Sequence, residues 1–118
     1  MSEAQLQHAI PHPQVKYMYT PLSMSDDELL ASIGGENSVD LVTVAQAVHW
    51  FDLPKFYSLV TRLIRKPGGV LAVWCYKGIS VSPTFDAVMK RFYDTTLPYW
   101  NTNVQYFFDG YKTLPFSI

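Results

Sequence analysis

The sequence predicts an α/β fold built on a parallel βαβ core, and three observations predict it. The run from Val39 to Val48 carries Val39, Leu41, Val42, Val44, Ala45 and Val48 with no alternation of polar and apolar positions. That is the pattern of a strand buried on both faces in a parallel sheet. A second such run is Val70-Leu71-Ala72-Val73-Trp74-Cys75-Tyr76. Between them, Leu53, Phe56, Val60, Leu63 and Ile64 recur at three- and four-residue spacing, which marks an amphipathic helix. Strand, helix and strand over this length make a βαβ unit, whose crossover is right-handed.

The remaining elements follow in chain order. Ser2 with Gln5 has capping-box spacing before Leu6, Ala9 and Ile10, so a helix is predicted over about 3–10, stopped by Pro11 and Pro13. His8 and His12 near its end read as solvated surface residues. Residues 14–19, Gln-Val-Lys-Tyr-Met-Tyr, alternate and are rich in β-formers, which predicts a short strand left by a turn at Thr20-Pro21-Leu22-Ser23. Ser25 and Glu28 form a second capping box, with Leu29, Leu30 and Ile33 as the buried face and Gly34-Gly35 as the stop. The central strand is predicted over 39–47. Asp52 is placed to cap the next helix, and Pro54 sits in its first turn, where a missing N–H costs nothing. Pro67-Gly68-Gly69 ends that helix before the strand at 70–76. Ser82-Pro83 opens a further helix with Phe85, Val88, Met89 and Phe92 directed inward. Beyond Asp94 the aromatic residues show no clear period, so an irregular tail is predicted.

Composition narrows the function. The chain has 118 residues, room for one small domain. Apolar residues make up 48% and charged residues 16%, enough to form a core and too few charges for wholesale disorder. A net charge of −1 argues against a nucleic-acid surface driven by phosphate neutralisation. No apolar run approaches a membrane span, and the polar, acidic opening Met1-Ser2-Glu3 is unlike a signal peptide. A single cysteine, Cys75, fits a reducing, cytoplasmic compartment. The three histidines lack zinc spacing with it, so no metal site is expected.

Function is expected where the central strand ends. Gln46, His49, Trp50 and Asp52 cluster there, and ligands of open α/β sheets sit at the carboxyl ends of the strands. The stretch Val-Asp-Leu-Val-Thr-Val-Ala-Gln-Ala-Val-His-Trp-Phe-Asp, the amphipathic helix, and Arg-Lys-Pro-Gly-Gly-Val-Leu-Ala-Val-Trp together resemble class I S-adenosylmethionine-dependent methyltransferases. The nearer likeness is to their small-molecule branch, of the trans-aconitate and plant embryo-abundant-protein kinds. The resemblance runs from residue 2 to about 116.

It implies a partial Rossmann-like three-layer sandwich, in which 1–79 form the Rossmann-like part and 80–118 a helix and a substrate-lid-like segment. It also implies a single truncated domain, an internal fragment. The family's glycine-rich cofactor loop has no counterpart here, because Gly34-Gly35 and Gly68-Gly69 follow helices, and the ribose-holding acid falls before Met1. In the family order 3-2-1-4-5-7-6, two absent strands would lie between 14–19 and 39–47. The 14–19 strand is therefore expected to move in beside 39–47, or another chain to fill the gap, because an open apolar edge is otherwise an aggregation site.

By the same resemblance, Thr20, Pro21 and Leu22 flank the adenine of S-adenosylmethionine, and Ala45, Gln46 and Ala47 run along the cofactor. His49 and Trp50 wall its pocket. Trp74 and Tyr76 face the substrate, and Tyr99 and Trp100 belong to a lid over it. Each has a plainer reading: Trp50 as a core anchor, Gln46 as the partner of a loop, His49 as a packed histidine bonded to backbone, and the aromatic tail as local core. His49 would otherwise orient a substrate carboxylate or act as a base. Cys75 has no second histidine to activate it as a nucleophile. The sulfonium is already activated, so the protein need only hold a small acceptor, a carboxylate or similar, in line with the methyl group. The expectation is a methyltransferase whose chain, taken alone, binds S-adenosylmethionine weakly or not at all. The alternative is a non-catalytic interaction fragment that pairs with itself or a full-length homologue through the open sheet edge, and a third is a fragment with no function of its own.

Overall fold

A computed structural model describes residues 3–76 and 78–116. The cap predicted at Ser2 lies outside the described residues. The elements run α1 (Glu3–Gln7), α2 (Asp26–Ile33), β1 (Leu41–Ala45), α3 (Leu53–Leu63), β2 (Val70–Trp74), α4 (Pro83–Thr96) and α5 (Val104–Phe108), with single 3-10 turns at Val48–Trp50 and Leu97–Tyr99.

The βαβ core forms as its pattern dictates. β1 and β2 pair in parallel, with Leu41 opposite Val70 and Ala45 opposite Trp74. The Asp52 carboxylate accepts from the Lys55 N–H at 3.2 Å and starts α3. Tyr57, Val60 and Leu63 turn the buried face of α3 inward, and Val60 is 1% exposed. Gly69 ends the return loop at close quarters. A Cβ there would lie 2.6 Å from the Arg65 carbonyl oxygen, so only glycine fits. α2 has both halves of its capping box: Glu28 N–H donates to Ser25 Oγ, and Ser25 N–H donates to the Glu28 carboxylate. Arg62 ties α2 to α3 through Asp27 and Glu36 at 2.7 and 2.8 Å.

Several expectations need correction. Residues 14–19 form no strand; His12 and Val15 make an isolated antiparallel bridge, and the segment is held by Tyr17 donating to the Ile10 carbonyl and Lys16 to that of Ser32. Alternating β-formers make a strand only where a neighbour completes their hydrogen bonds. This segment has not moved in beside the central strand, and the sheet of the described residues has two strands. β1 is also shorter than 39–47. Val39 bridges to Ile64 on one side, and Gln46, at φ 58°, turns the chain out of the strand at the other end. Nor is β1 buried on both faces: Val44 is buried, while Leu41 is 54% exposed. The second strand stops at Trp74, leaving Cys75 and Tyr76 beyond it. α4 buries none of its residues, and Phe85, Val88 and Phe92 stand open to solvent. The tail, expected to be irregular, contains α5, and it sends Leu114 into the core beside Val44, Val48, Leu53 and Tyr57.

The ladder sets which edge of β1 is open. Val70 N–H donates to the Asp40 carbonyl at 2.9 Å and Gln46 N–H to that of Trp74 at 3.0 Å, so even-numbered residues face β2. Val39 faces the other way and exchanges bonds with Leu63 and Arg65. The N–H groups of Leu41, Thr43 and Ala45 therefore point to the side that carries no strand among the described residues.

Candidate functional site

The site grows from the turn after β1. Gln46 adopts a left-handed conformation at φ 58°, uncommon for a residue with a side chain, and holds it through its N–H bond to Trp74. That reversal leads into the 3-10 turn at Val48–Trp50, anchored by Val48, which is wholly buried in the core. His49 and Trp50 are thereby fixed at the carboxyl ends of the two parallel strands.

A cleft of about 280 Å³ opens there. Gln46, His49 and Trp50 form one side, and Tyr76 enters from the end of β2. Tyr93 of α4, Trp100 and the α5 residues Val104 and Phe107 close the other side. Five of these walls are aromatic, and none carries a fixed charge. A larger hollow of about 570 Å³ lies along α3, lined by Leu53, Tyr57 and Pro115 among others. Its one cation, Arg62, is already engaged by Asp27 and Glu36, and it lies away from the strand ends where a parallel sheet collects ligands.

His49 is 4% exposed, and its ring is packed 4.6 Å from Trp50, 5.7 Å from Tyr111 and 6.1 Å from Phe107. Its Nδ1 pairs with the Tyr111 hydroxyl at 2.8 Å, so the histidine is bonded to a side chain rather than to backbone. Burial pushes its pKa down, which keeps the ring neutral. Tyr111 is itself held in a left-handed conformation, φ 64°, directly after Gly110, and its N–H donates to the Tyr106 carbonyl. Burial raises the Cys75 thiol above its ordinary value, so it stays protonated and a poor nucleophile. The amide Nε2 of Gln46 is buried with no hydrogen-bond partner. Such orphaned donors are rare in a folded chain and mark a place where an acceptor is wanted.

The structure brings Gln46, His49, Trp50, Tyr76 and Trp100 to one cleft. It leaves the other named residues off its walls. Ala47 packs against the core, Trp74 ends β2 half exposed, and Tyr99 is 89% exposed. Ala45 is exposed on β1, and Thr20, Pro21 and Leu22 lie in the loop before α2 with Leu22 fully in solvent. The sequence reading passed over Tyr93, Val104, Phe107 and Tyr111. A signal existed: 104, 107 and 111 are spaced as one face of a helix, and Asp109-Gly110 is a turn dipeptide.

Among the described residues no helix is long and apolar enough to cross a membrane, and no group of three or more His, Cys, Asp or Glu is arranged to hold a metal. No protein-family model matches the chain. It is 36% identical over 114 residues to a Dictyostelium discoideum protein named "Putative methyltransferase", covering 93% of this chain and 40% of that protein. It also superposes on a solved structure from Anaeromyxobacter dehalogenans, described as a "Putative Type II Methyltransferase", with a TM-score of 0.69 and 39% identity. That match covers 98% of this chain and 46% of the other. The chain has the fold of the corresponding part of that structure and spans less than half the length of either relative.

Proposed function

We propose that this chain, similar along nearly its whole length to proteins named as methyltransferases, carries one wall of an S-adenosylmethionine site and serves methyl transfer to a small-molecule acceptor. The observation that carries the reading is the cleft at the carboxyl ends of β1 and β2, aromatic on most sides and with Gln46 in its wall. The likeness to the two relatives supports methyl transfer in general. The small-molecule branch and a cytoplasmic setting are our readings of the sequence.

The residues present fit part of the cofactor. Gln46 offers a donor to a carboxylate, hydroxyl or ring nitrogen, and the faces of Trp50, Tyr76 and Trp100 suit a purine or a sulfonium, since a cation over an aromatic face is attracted by its quadrupole. When bound, S-adenosylmethionine supplies a methyl group already activated by the positive charge on sulfur. The chain's own tasks are then to orient and to exclude water. Gln46 sets orientation, the aromatic walls desolvate, and His49 stays neutral and does not repel a sulfonium. Our expectation for this stretch of chain taken alone is weak binding of S-adenosylmethionine, because the likeness leaves the cofactor's glycine-rich loop without a counterpart among these residues.

A titration of the chain with S-adenosylhomocysteine, followed by amide NMR, tests this. Weak, fast-exchange shifts are expected at Gln46, Ala47, His49 and Trp50. Shifts confined to the hollow along α3, none at all, or micromolar binding by calorimetry would overturn the reading as stated. A second reading, an interaction fragment that pairs with another chain, is favoured by a separate observation, the open edge of β1 at Leu41, Thr43 and Ala45.

A further inference from the structure

We infer that two copies of this chain pair edge to edge through β1, antiparallel and across a two-fold axis at Thr43. This rests on the second reading above, that the chain pairs with another, and names the partner and the register. Three features of the strand carry it.

First, the free edge is short and self-complementary. Val39 already exchanges bonds with Leu63 and Arg65, so the open span begins at Leu41, and Gln46, at φ 58°, ends it. Within that span Leu41, Thr43 and Ala45 turn both N–H and C=O to the free side, since the even-numbered residues bond to β2. An antiparallel copy sets Thr43 opposite Thr43 and Leu41 opposite Ala45, and every one of those groups then meets a partner. Parallel pairing of two identical edges needs a one-residue offset, which no two-fold axis supplies.

Second, the edge carries none of the devices that keep edges apart. Edge strands are ordinarily blocked by a lysine, a proline or an inward-pointing charge. Here Leu41, Thr43 and Ala45 are uncharged and exposed, and the neighbouring Asp40 is held by Arg65 at 2.7 Å. A Thr–Thr pair across two strands is itself favourable, and Leu41 lies opposite the small Ala45. A net charge of −1 gives two copies little mutual repulsion. Third, the area suffices. The accessible surface of 8716 Å² exceeds the usual scaling for this mass by roughly 2200 Å². A standard interface takes only about 800 Å² from each partner. The axis stands perpendicular to the sheet, so both copies keep the Val44 side, which packs against Tyr57 of α3, on one face of a continuous sheet.

The test uses the chain itself. NMR of a sample mixing isotope-labelled and unlabelled copies, at a concentration where they associate, should show cross-chain Hα contacts between Val42 and Val44, the non-hydrogen-bonded pair of this register. Exchange of the Leu41, Thr43 and Ala45 amides should slow roughly tenfold or more from dilute to concentrated chain, while Val42 and Val44 change little. Position 43 faces itself in this pairing and is exposed in the single copy. Thr43→Lys and Thr43→Glu should therefore each sediment as monomers and form a dimer when mixed. A mixture that stays monomeric, or cross-chain contacts elsewhere, overturns the register. Val88→Lys and Phe92→Lys, at exposed positions of α4, should leave association unchanged. If they abolish it and Thr43→Lys does not, the partner docks on α4, and this inference fails while the interaction reading survives. A chain monomeric at every concentration removes both, and the S-adenosylhomocysteine titration bears on neither.

Discussion

Gln46 and His49 show how a few residues trade stability for a site. A residue with a side chain at φ 58° gives up about 1 kcal/mol that glycine would not, and here its amide is also buried without a partner. Gln46→Gly should therefore raise stability by about 1 kcal/mol in urea unfolding while abolishing the shifts produced by S-adenosylhomocysteine. Loss of stability in that variant would show that the amide is satisfied in the native chain. His49 carries a pH signature. Burial holds its folded pKa below the ordinary 6.5, so the unfolded chain binds the extra proton first. Its contribution is fully present above 6.5 and is lost as pH falls from there toward the folded pKa. Glu28 and Asp86, whose pKa values are lowered by hydrogen bonds from Ser25 and Ser80, lose their contributions only at lower pH, through the carboxylate range. Urea midpoints should fall between pH 7.5 and 5, and His49→Gln should flatten that slope. An unchanged slope in the variant would mean His49 is not buried neutral.

At the scale of elements, the two strands and α3 hold together while their surroundings stay open. The amides of Val42 and Val44 are inside the β1–β2 ladder, and those of Leu41, Thr43 and Ala45 face its free side. Hydrogen exchange should be roughly tenfold or more faster at the second set than at the first. Uniform protection along β1 would mean that another strand covers the edge. α4 is the helical counterpart of that edge. Its start is well specified, with Ser82 accepting from the Phe85 N–H, but its apolar stripe meets no core. A capped, periodic helix is legible from sequence because both signals are local. The partner of its stripe is not, because it depends on residues far away in the chain.

The whole molecule is more open than its length requires. The radius of gyration is 17.6 Å, against about 13.5 Å for a folded chain of this size. The accessible surface is 8716 Å², against about 6500 Å² from the usual scaling. Much of the excess is apolar: Leu41, Val70, Val88 and Phe92 are all at least half exposed. Such a surface favours association through the free edge of β1. Size-exclusion chromatography should show a mass that rises with concentration, and Thr43→Lys should return it to monomer. A monomer at every concentration would remove the interaction reading.

The sequence by itself determined the parallel βαβ unit, three helix caps and the identity of the turn that carries Gln46, His49 and Trp50. Each of these rests on signals within a few residues of one another: apolar runs, capping side chains and glycine stops. The tertiary structure alone decided the rest. It denied residues 14–19 a strand because no neighbour completes their hydrogen bonds. It left β1 half exposed because the sheet of the described residues has two strands. It also placed Tyr111, 62 residues further along, against Nδ1 of His49, a pairing that no local pattern could specify.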